Sequence, residues 1–332
     1  MRKFTGLLAI GVIVGGFVAV ADDAVAQLFP RSNAAPTAAP AAAAPAAPAA
    51  TPTPPSPPAA IPAVSPAKQP CNNPDALGIG RIVEIDTTGG PGFGFEHFKQ
   101  MDFLRDHEVV LTFDDGPWPE NTPAVLKALA NECTTGIFFP IGEHATWHPE
   151  ILKQVAAAGH VIGSHTWSHQ DLNKGKYAKD QNLAKEEIEK GLSAVKWALG
   201  TSEAPFFRFP ALQHPPAMVT YLGERNIAIW SCDLDSFDFK GGSPDVIMKT
   251  IFTKLDKLGK GIILMHDFQK HTAEGLPAIL RRLKTEGYKV VQVKAKEPVQ
   301  SLPQFDEALV KEAALPTVTT RPVSAVVKDV TE

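Results

Sequence analysis

What most constrains the fold is a regular alternation, from about Arg81 to about residue 291, of short apolar runs with stretches of helical period. Val-Val-Leu-Thr-Phe at 109–113 is too short for a buried helix and too apolar for a half-exposed strand, so it reads as a buried strand. Runs at 136–139, 161–163, 206–208, 227–230, 262–265 and 290–291 repeat the pattern. Between them the spacing predicts helices over 122–131, 149–158, 181–199 and 276–286. Thr122 is the expected N-cap of the first, with Pro123 in its first turn, and Gly159 and Gly200 are expected to close the second and third. Strands separated by helices pair in parallel, because the crossover returns each strand in the same direction. About seven such units predict an α/β fold whose parallel strands would close into a barrel-like sheet.

The polar residues fall just after these strands. Asp114 and Asp115 follow Phe113, and His165 follows the run at 161–163. Arg208 follows Phe206-Phe207, Asp235 and Asp238 come after Trp230, and His266-Asp267 follow Met265. In barrels the C-terminal strand ends share one mouth, so these groups are expected to converge there. His165 and His169 have a spacing that can place two imidazoles on one ion, and a carboxylate would complete a set with open positions. An ion so held brings the pKa of a bound water from about 15.7 towards 7. Two adjacent aspartates suit a division of labour, one on the metal and one accepting the water's proton. Successive residues on a strand point to opposite sides, which would separate the two roles. His266 suits the acid that amide hydrolysis needs for its amine leaving group. Each feature alone has an ordinary structural explanation: a turn for Asp-Asp-Gly-Pro, an ion pair for Arg208, two unrelated histidines. Their joint placement favours an active site.

Thr112-Phe113-Asp114-Asp115-Gly116-Pro117 and His165-Thr166-Trp167-Ser168-His169 resemble the first two motifs of the polysaccharide deacetylase family, carbohydrate esterase family four. The run from Gly159 to Ser164 and Leu264-Met265-His266 are also similar to that family. The resemblance covers roughly residues 107–293. It implies a distorted (β/α) barrel of about seven parallel strands and a metal-dependent N-deacetylase whose ion is usually zinc, with cobalt or another divalent ion an alternative. By the same resemblance Asp115, His165 and His169 are the metal ligands, Asp114 the base, and His266 the acid. Arg208 would orient the base and Asp238 would tune His266. Leu264 would be the apolar wall for the acetyl methyl, and Pro210, Ala211 and Phe239 would border the substrate, with the Ala211 N–H as oxyanion donor. Two positions depart from the pattern. Ala211-Leu212 stand where an aromatic residue and glycine are common, and Phe239 stands where tryptophan is common. The expected substrate is an acetylated amino-sugar polymer, peptidoglycan or a chitin-like polymer of N-acetylglucosamine. An O-acetyl esterase on a polymer such as acetylxylan, or a non-catalytic glycan-binding domain of the same fold, are the alternatives.

The ends of the chain bear on where it works. Arg2 and Lys3, an apolar run over 7–21 and Ala24-Val25-Ala26 form the pattern of a secretory signal, 1–26, or of an uncleaved membrane anchor. Of the chain's 30 prolines, 12 lie between residues 33 and 70, where alanine dominates. That composition cannot bury a core, so 27–70 is expected to be a disordered linker, on the order of 100 Å long if polyproline-like. The catalytic domain is expected over 71–298 and a polar tail with weak helical character over 299–332. An exported protein, periplasmic or secreted, follows. Net charge is −4, which gives no general basic field for nucleic acid. Nothing in the sequence identifies a protein partner. The three cysteines, Cys71, Cys133 and Cys232, allow one disulfide at most and are too scattered to suggest a metal site.

Overall fold

A computed structural model describes residues 71–313. The expected signal or anchor, the linker and the end of the tail lie outside them. The strands are β1 (Arg81–Ile85), β2 (Gly92–Phe93), β3 (Glu108–Asp114), β4 (Ile137–Phe139), β5 (Val161–Ile162), β6 (Phe206–Phe207), β7 (Ala228–Trp230), β8 (Leu234–Asp235), β9 (Gly261–His266) and β10 (Lys289–Ala295). The helices are α1 (Asn121–Asn131), α2 (Gly142–Trp147), α3 (Pro149–Ala157), α4 (Gly175–Lys179), α5 (Gln181–Leu199), α6 (Pro216–Glu224), α7 (Pro244–Leu258), α8 (Lys270–Thr285) and α9 (Pro303–Ala313). Seven strands form one sheet, ordered β1-β10-β3-β4-β5, with β9 on β3 and β8 on β9. The second sheet is β2-β7-β6, and a bridge from Ser164 to Phe207 links the two. Every strand pair is parallel, as the alternation predicts.

β3 is buried along its whole length, and its alternation sorts the core. Val109, Leu111 and Phe113 join the apolar layer shared with α1, α7 and α8, whereas Val110 belongs to an inner cluster with Phe139, Phe206 and Trp230. The period of two therefore puts Thr112 and Asp114 on the inner side, above Val110. β9 divides in the same way: Ile263 and Met265 pack outward, and Ile262 inward. Leu264 and His266 thus share the inner face, in register with Thr112 and Asp114 respectively.

Four expectations need correction. Helix α1 begins at Asn121, so Thr122 lies inside it, and its hydroxyl meets Trp118 and Asp267 instead of capping the helix. Helix α8 begins at Lys270, six residues before the expected start at Leu276, and carries Pro277 in its interior. A proline inside a helix has no N–H to give the preceding turn, yet this helix runs through it. Beyond Pro298 the chain is still packed: Val299 and Leu309 are buried, and Lys196 of α5 pairs with Asp306 of α9 at 2.8 Å. The strand pattern also missed β1 and β2, which lie before residue 109. Cys71 and Cys133 form a disulfide, and Cys232 is free and buried.

Candidate active site

β3 and β9 lie side by side with Asp114 opposite His266, so the strand pairing itself sets a carboxylate beside an imidazole. Asp114 is held from below by Arg208, whose Nη1 donates to Asp114 Oδ1 at 2.7 Å and to Thr112 Oγ1 at 2.8 Å. Arg208 also donates through Nε to the Trp230 carbonyl and through Nη2 to the Ser231 carbonyl, which fixes the guanidinium in a fully buried place. Burial raises the Asp114 pKa to about 6, working against Arg208 and His266, which favour the charged form. A carboxylate tuned close to neutrality is suited to taking and giving a proton there.

His266 is anchored from the other side. Its Nδ1–H donates to Asp238 Oδ1 at 2.6 Å, and its backbone N–H donates to Asp238 Oδ2 at 2.8 Å. Thr272 donates to the same carboxylate. Burial disfavours the imidazolium, yet the bond and charge of Asp238, with Asp115 and Asp114 beyond it, outweigh burial and push His266 up to about 10. Its Nε2 lies 3.9 Å from Asp115 Oδ2, so the free end of the ring faces the acidic pair.

Asp115, His165 and His169 make up the rest of the centre, with one potential ligand atom from each lying within 4.8 Å of the others. Asp115 Oδ1 is 3.5 Å from His165 Nε2 and 3.4 Å from His169 Nε2. Three observations fit a divalent ion here. Asp115 Oδ1 is buried without a hydrogen-bond partner among the described residues. The Nδ1–H of His165 donates to the Arg208 carbonyl at 2.6 Å, which leaves Nε2 with its lone pair free. Burial, with His169 next to it, holds His165 well below its ordinary pKa and so neutral, as a ligand must be.

The two aspartates do not face opposite sides as simple alternation predicts. Asp115 stands past the last strand pairing with a left-handed backbone, φ 74°, and the reversed turn brings its side chain back to the centre. His165 Nε2 is consequently 3.8 Å from Asp114 Oδ2 as well as near Asp115. His144 of α2 steadies this turn, its Nδ1–H donating to the Asp115 carbonyl at 2.6 Å.

Three further supports hold the centre, of which the sequence singled out only Asp267, as a strand-end residue. Glu187 of α5 accepts from the Ser168 N–H at 3.0 Å, the Ser168 hydroxyl at 2.9 Å and the Tyr177 hydroxyl at 2.9 Å, which fixes the loop between the histidines. In that helix a Cβ at Gly191 would stand 2.5 Å from the Thr166 carbonyl carbon, so the loop lies directly on α5 backbone. Asp267 accepts from Gly116 N at 3.2 Å and from Thr122 Oγ1 at 2.5 Å, tying the end of β9 to the turn after β3. Only Asp267 carried a signal, its position beside His266; Glu187 looks like any polar residue of an amphipathic helix.

Of the remaining expected residues, Leu264 is buried below His266 and outside the three main apolar clusters. Phe239 is half exposed, its ring 5.6 Å from that of His266. Pro210 begins a short turn in which Ala211 and Leu212 both take left-handed backbone, φ 51° and 52°. Leu212 thus holds a left-handed conformation of the kind glycine adopts without steric cost. Asp235 is not among the groups that surround the centre; its Oδ1 accepts the Phe237 N–H at 2.8 Å.

An inward ring of strand-end acids and histidines on a parallel barrel-like sheet defines a class of hydrolase-type fold, and comparison with known proteins narrows it. The family described as polysaccharide deacetylase matches residues 104–229. A peptidoglycan-N-acetylglucosamine deacetylase of Bacillus cereus is 34% identical over 192 residues, 55% of this chain and 66% of that protein. A second protein of the same name and organism is 31% identical over 190 residues, 56% of this chain and 85% of the relative. Among solved structures, a peptidoglycan deacetylase of Bdellovibrio bacteriovorus matches with a TM-score of 0.59 and 32% identity, covering 66% of this chain and 59% of that one. The chain thus spans about two thirds or less of the first of these relatives and of the Bdellovibrio protein. It belongs to the polysaccharide deacetylase family.

Proposed function

We propose that the chain removes N-acetyl groups from an exported amino-sugar polymer, with peptidoglycan as the foremost substrate. The observation that carries the reading is the pairing of Asp114 with His266 across one centre, each held by its own buried partner, Arg208 or Asp238. Binding a glycan needs neither of them in this arrangement. Asp115, His165 and His169 would hold a divalent ion, which when bound polarises the acetyl carbonyl and makes water acidic enough to attack near neutral pH. Asp114 Oδ2 accepts the proton of the attacking water. As the carbon–nitrogen bond breaks, His266 Nε2 gives a proton to the departing amine nitrogen. The Ala211 N–H would donate to the oxyanion, and Leu264 would border the acetyl methyl. The names of the relatives, deacetylases acting on peptidoglycan, support the substrate class. Export is supported by the signal-like N-terminus and by the Cys71–Cys133 bridge, since disulfides persist in oxidising compartments. The test is acetate release by the zinc-loaded protein from peptidoglycan, chitin oligomers and acetylxylan. Release from the first two supports the reading; release from acetylxylan alone would replace it with an O-acetyl esterase.

A further inference from the structure

Beside His266 the chain presents a lysine for which the chemistry above has no use. The segment Phe237-Asp238-Phe239-Lys240 is pinned at its centre, because Asp238 binds both the backbone and the ring of His266 and also Thr272. Its neighbours are turned outward: Phe237 and Phe239 are exposed, and Phe237 takes left-handed backbone, φ 55°. Lys240 Nζ lies 3.9 Å from the centroid of Phe237 and 5.7 Å from that of Phe239. On the far side Lys254 Nζ stands 4.3 Å from the Phe237 ring and donates to the Asp235 carbonyl at 3.0 Å. Several lysines of the described chain pair with a carboxylate, among them Lys174, Lys196, Lys260 and Lys296. Lys240 and Lys254 have no such partner within 4 Å among the described residues, and Asp235 next to them is buried. An ammonium held over two aromatic rings by cation–π attraction keeps its charge while losing freedom, so it meets an incoming anion already placed. The chain of contacts, Lys240 to the Phe239 ring at 5.7 Å and that ring to His266 at 5.6 Å, places one aromatic ring between this charge and His266.

We propose that Lys240, with Lys254 behind it, receives a carboxylate borne by the glycan next to the sugar being deacetylated. The preferred substrate is accordingly an acidic amino-sugar polymer, and a neutral chitin-like chain is the poorer one. This rests on the N-deacetylase reading of the same site and adds the charge of the substrate to it. Two sources supply the group: a lactyl ether carboxylate on the sugar itself, or the carboxylates of an attached peptide.

The experiment compares kcat/KM of the zinc-loaded full chain on N-acetylglucosamine tetramer, on peptide-free glycan strands bearing lactyl groups, and on strands with their peptides. In the wild type the acidic-over-neutral ratio exceeds one and falls as salt rises. It falls about fivefold in Lys240→Gln, the scale of one exposed ion pair, falls further in Lys240→Glu, and is retained in Lys240→Arg. A loss on both acidic substrates places the carboxylate on the sugar; a loss only on peptide-bearing strands places it on the peptide. A ratio that ignores salt and all three substitutions overturns the proposal. Calorimetric binding of the same glycans to Asp114→Asn protein, with and without each Lys240 change, reads the same preference without turnover. Absence of acetate release from every glycan would instead overturn the N-deacetylase reading, and the binding ratios would still decide the role of Lys240.

Discussion

Asp114 and Asp115 are neighbours in sequence, both reach His165, and yet they are held quite differently. Asp114 is the last residue of β3, buried, with Oδ1 committed to Arg208 at 2.7 Å. Asp115 sits in the following left-handed turn, and its Oδ1 has no hydrogen bond of its own among the described residues. In the proposed mechanism that difference suits Asp115 to the ion and Asp114 to the proton. Asp115→Asn should therefore lose metal, as should His165→Ala, because each removes a ligand. Asp114→Asn should keep its metal and lose on the order of 10²–10⁴ in rate, the usual contribution of a general base. Metal content measured beside turnover checks this. Retention of metal and activity in Asp115→Asn, with loss of metal in Asp114→Asn, would reverse the two roles. The residue types and their spacing were legible in the sequence, because these groups follow strands that announce themselves by apolar runs. The turn of Asp115 was not. Alternation governs a strand only as far as its pairing lasts, and a positive φ one residue later undoes it.

Among the elements, α5 was legible from end to end, since 19 residues of helical period run from the Asp180 cap to left-handed Gly200. β1, β2 and α2 were not: β1 is only partly buried and so lacks a continuous apolar run, and β2 and α2 are short. α2, six residues long, holds both halves of the centre. His144 binds the Asp115 carbonyl, while the N–H groups of Gly142 and Glu143 donate to the carbonyls of Thr166 and Trp167 at 2.9 Å each. α5 holds the same histidine loop from behind through Glu187. Glu187→Ala should loosen His169 without touching a ligand, and supporting residues of this kind usually govern 10- to 100-fold in metal affinity. We expect zinc affinity, measured by competition with a chelating dye, to fall at least tenfold. An unchanged affinity would reduce Glu187 to a stabiliser of the loop.

A second prediction at this scale concerns the join of β4 to β5. His160 Nδ1 accepts the Gly136 N–H at 3.2 Å, and burial lowers its pKa to about 4. Between that value and the ordinary 6.5 the unfolded chain binds a proton that the folded chain refuses, so stability rises with pH there. The stabilisation is whole above about pH 6.5 and drains away as pH falls towards 4, amounting to about 3 kcal/mol. His160→Gln keeps an acceptor and removes the titration, so urea midpoints at pH 7 and pH 4.5 should lie closer together than in the wild type. Equal separation in the two proteins would mean that other groups carry the acid sensitivity.

At the scale of the whole molecule, the segment ahead of β3 closes what the alternating units leave open. β1 adds to β10, β2 adds to β7, and Phe93 of β2 packs 4.9 Å from Trp230 in the inner cluster. None of this repeats the strand–helix pattern, which is why the sequence concealed it. The start of the segment is tied down separately. Cys71 is bridged to Cys133 just beyond α1, and close by Asn73 Nδ2 donates to the Asn131 carbonyl at 2.9 Å. The bridge closes a span of 62 residues that includes β1, β2 and β3. In the chain-entropy account a loop of that length restricts the unfolded state by about 4 kcal/mol. The bonded residues lie at the outer end of α1, whereas the chemistry lies at the C-terminal ends of the strands. Replacing both cysteines by serine should therefore lower the unfolding free energy by up to about 4 kcal/mol while leaving metal affinity and kcat on short glycans within about twofold, below the effect of losing any single supporting contact in the site. Equilibrium unfolding with and without reductant, beside turnover at a temperature where both proteins are folded, separates the two quantities. If the double variant unfolded at the wild-type midpoint, the segment would be held by its strand pairing alone. If it folded well but lost metal, α1 would be carrying strain from the N-terminal segment into the Asp115 turn through Thr122 and Asp267.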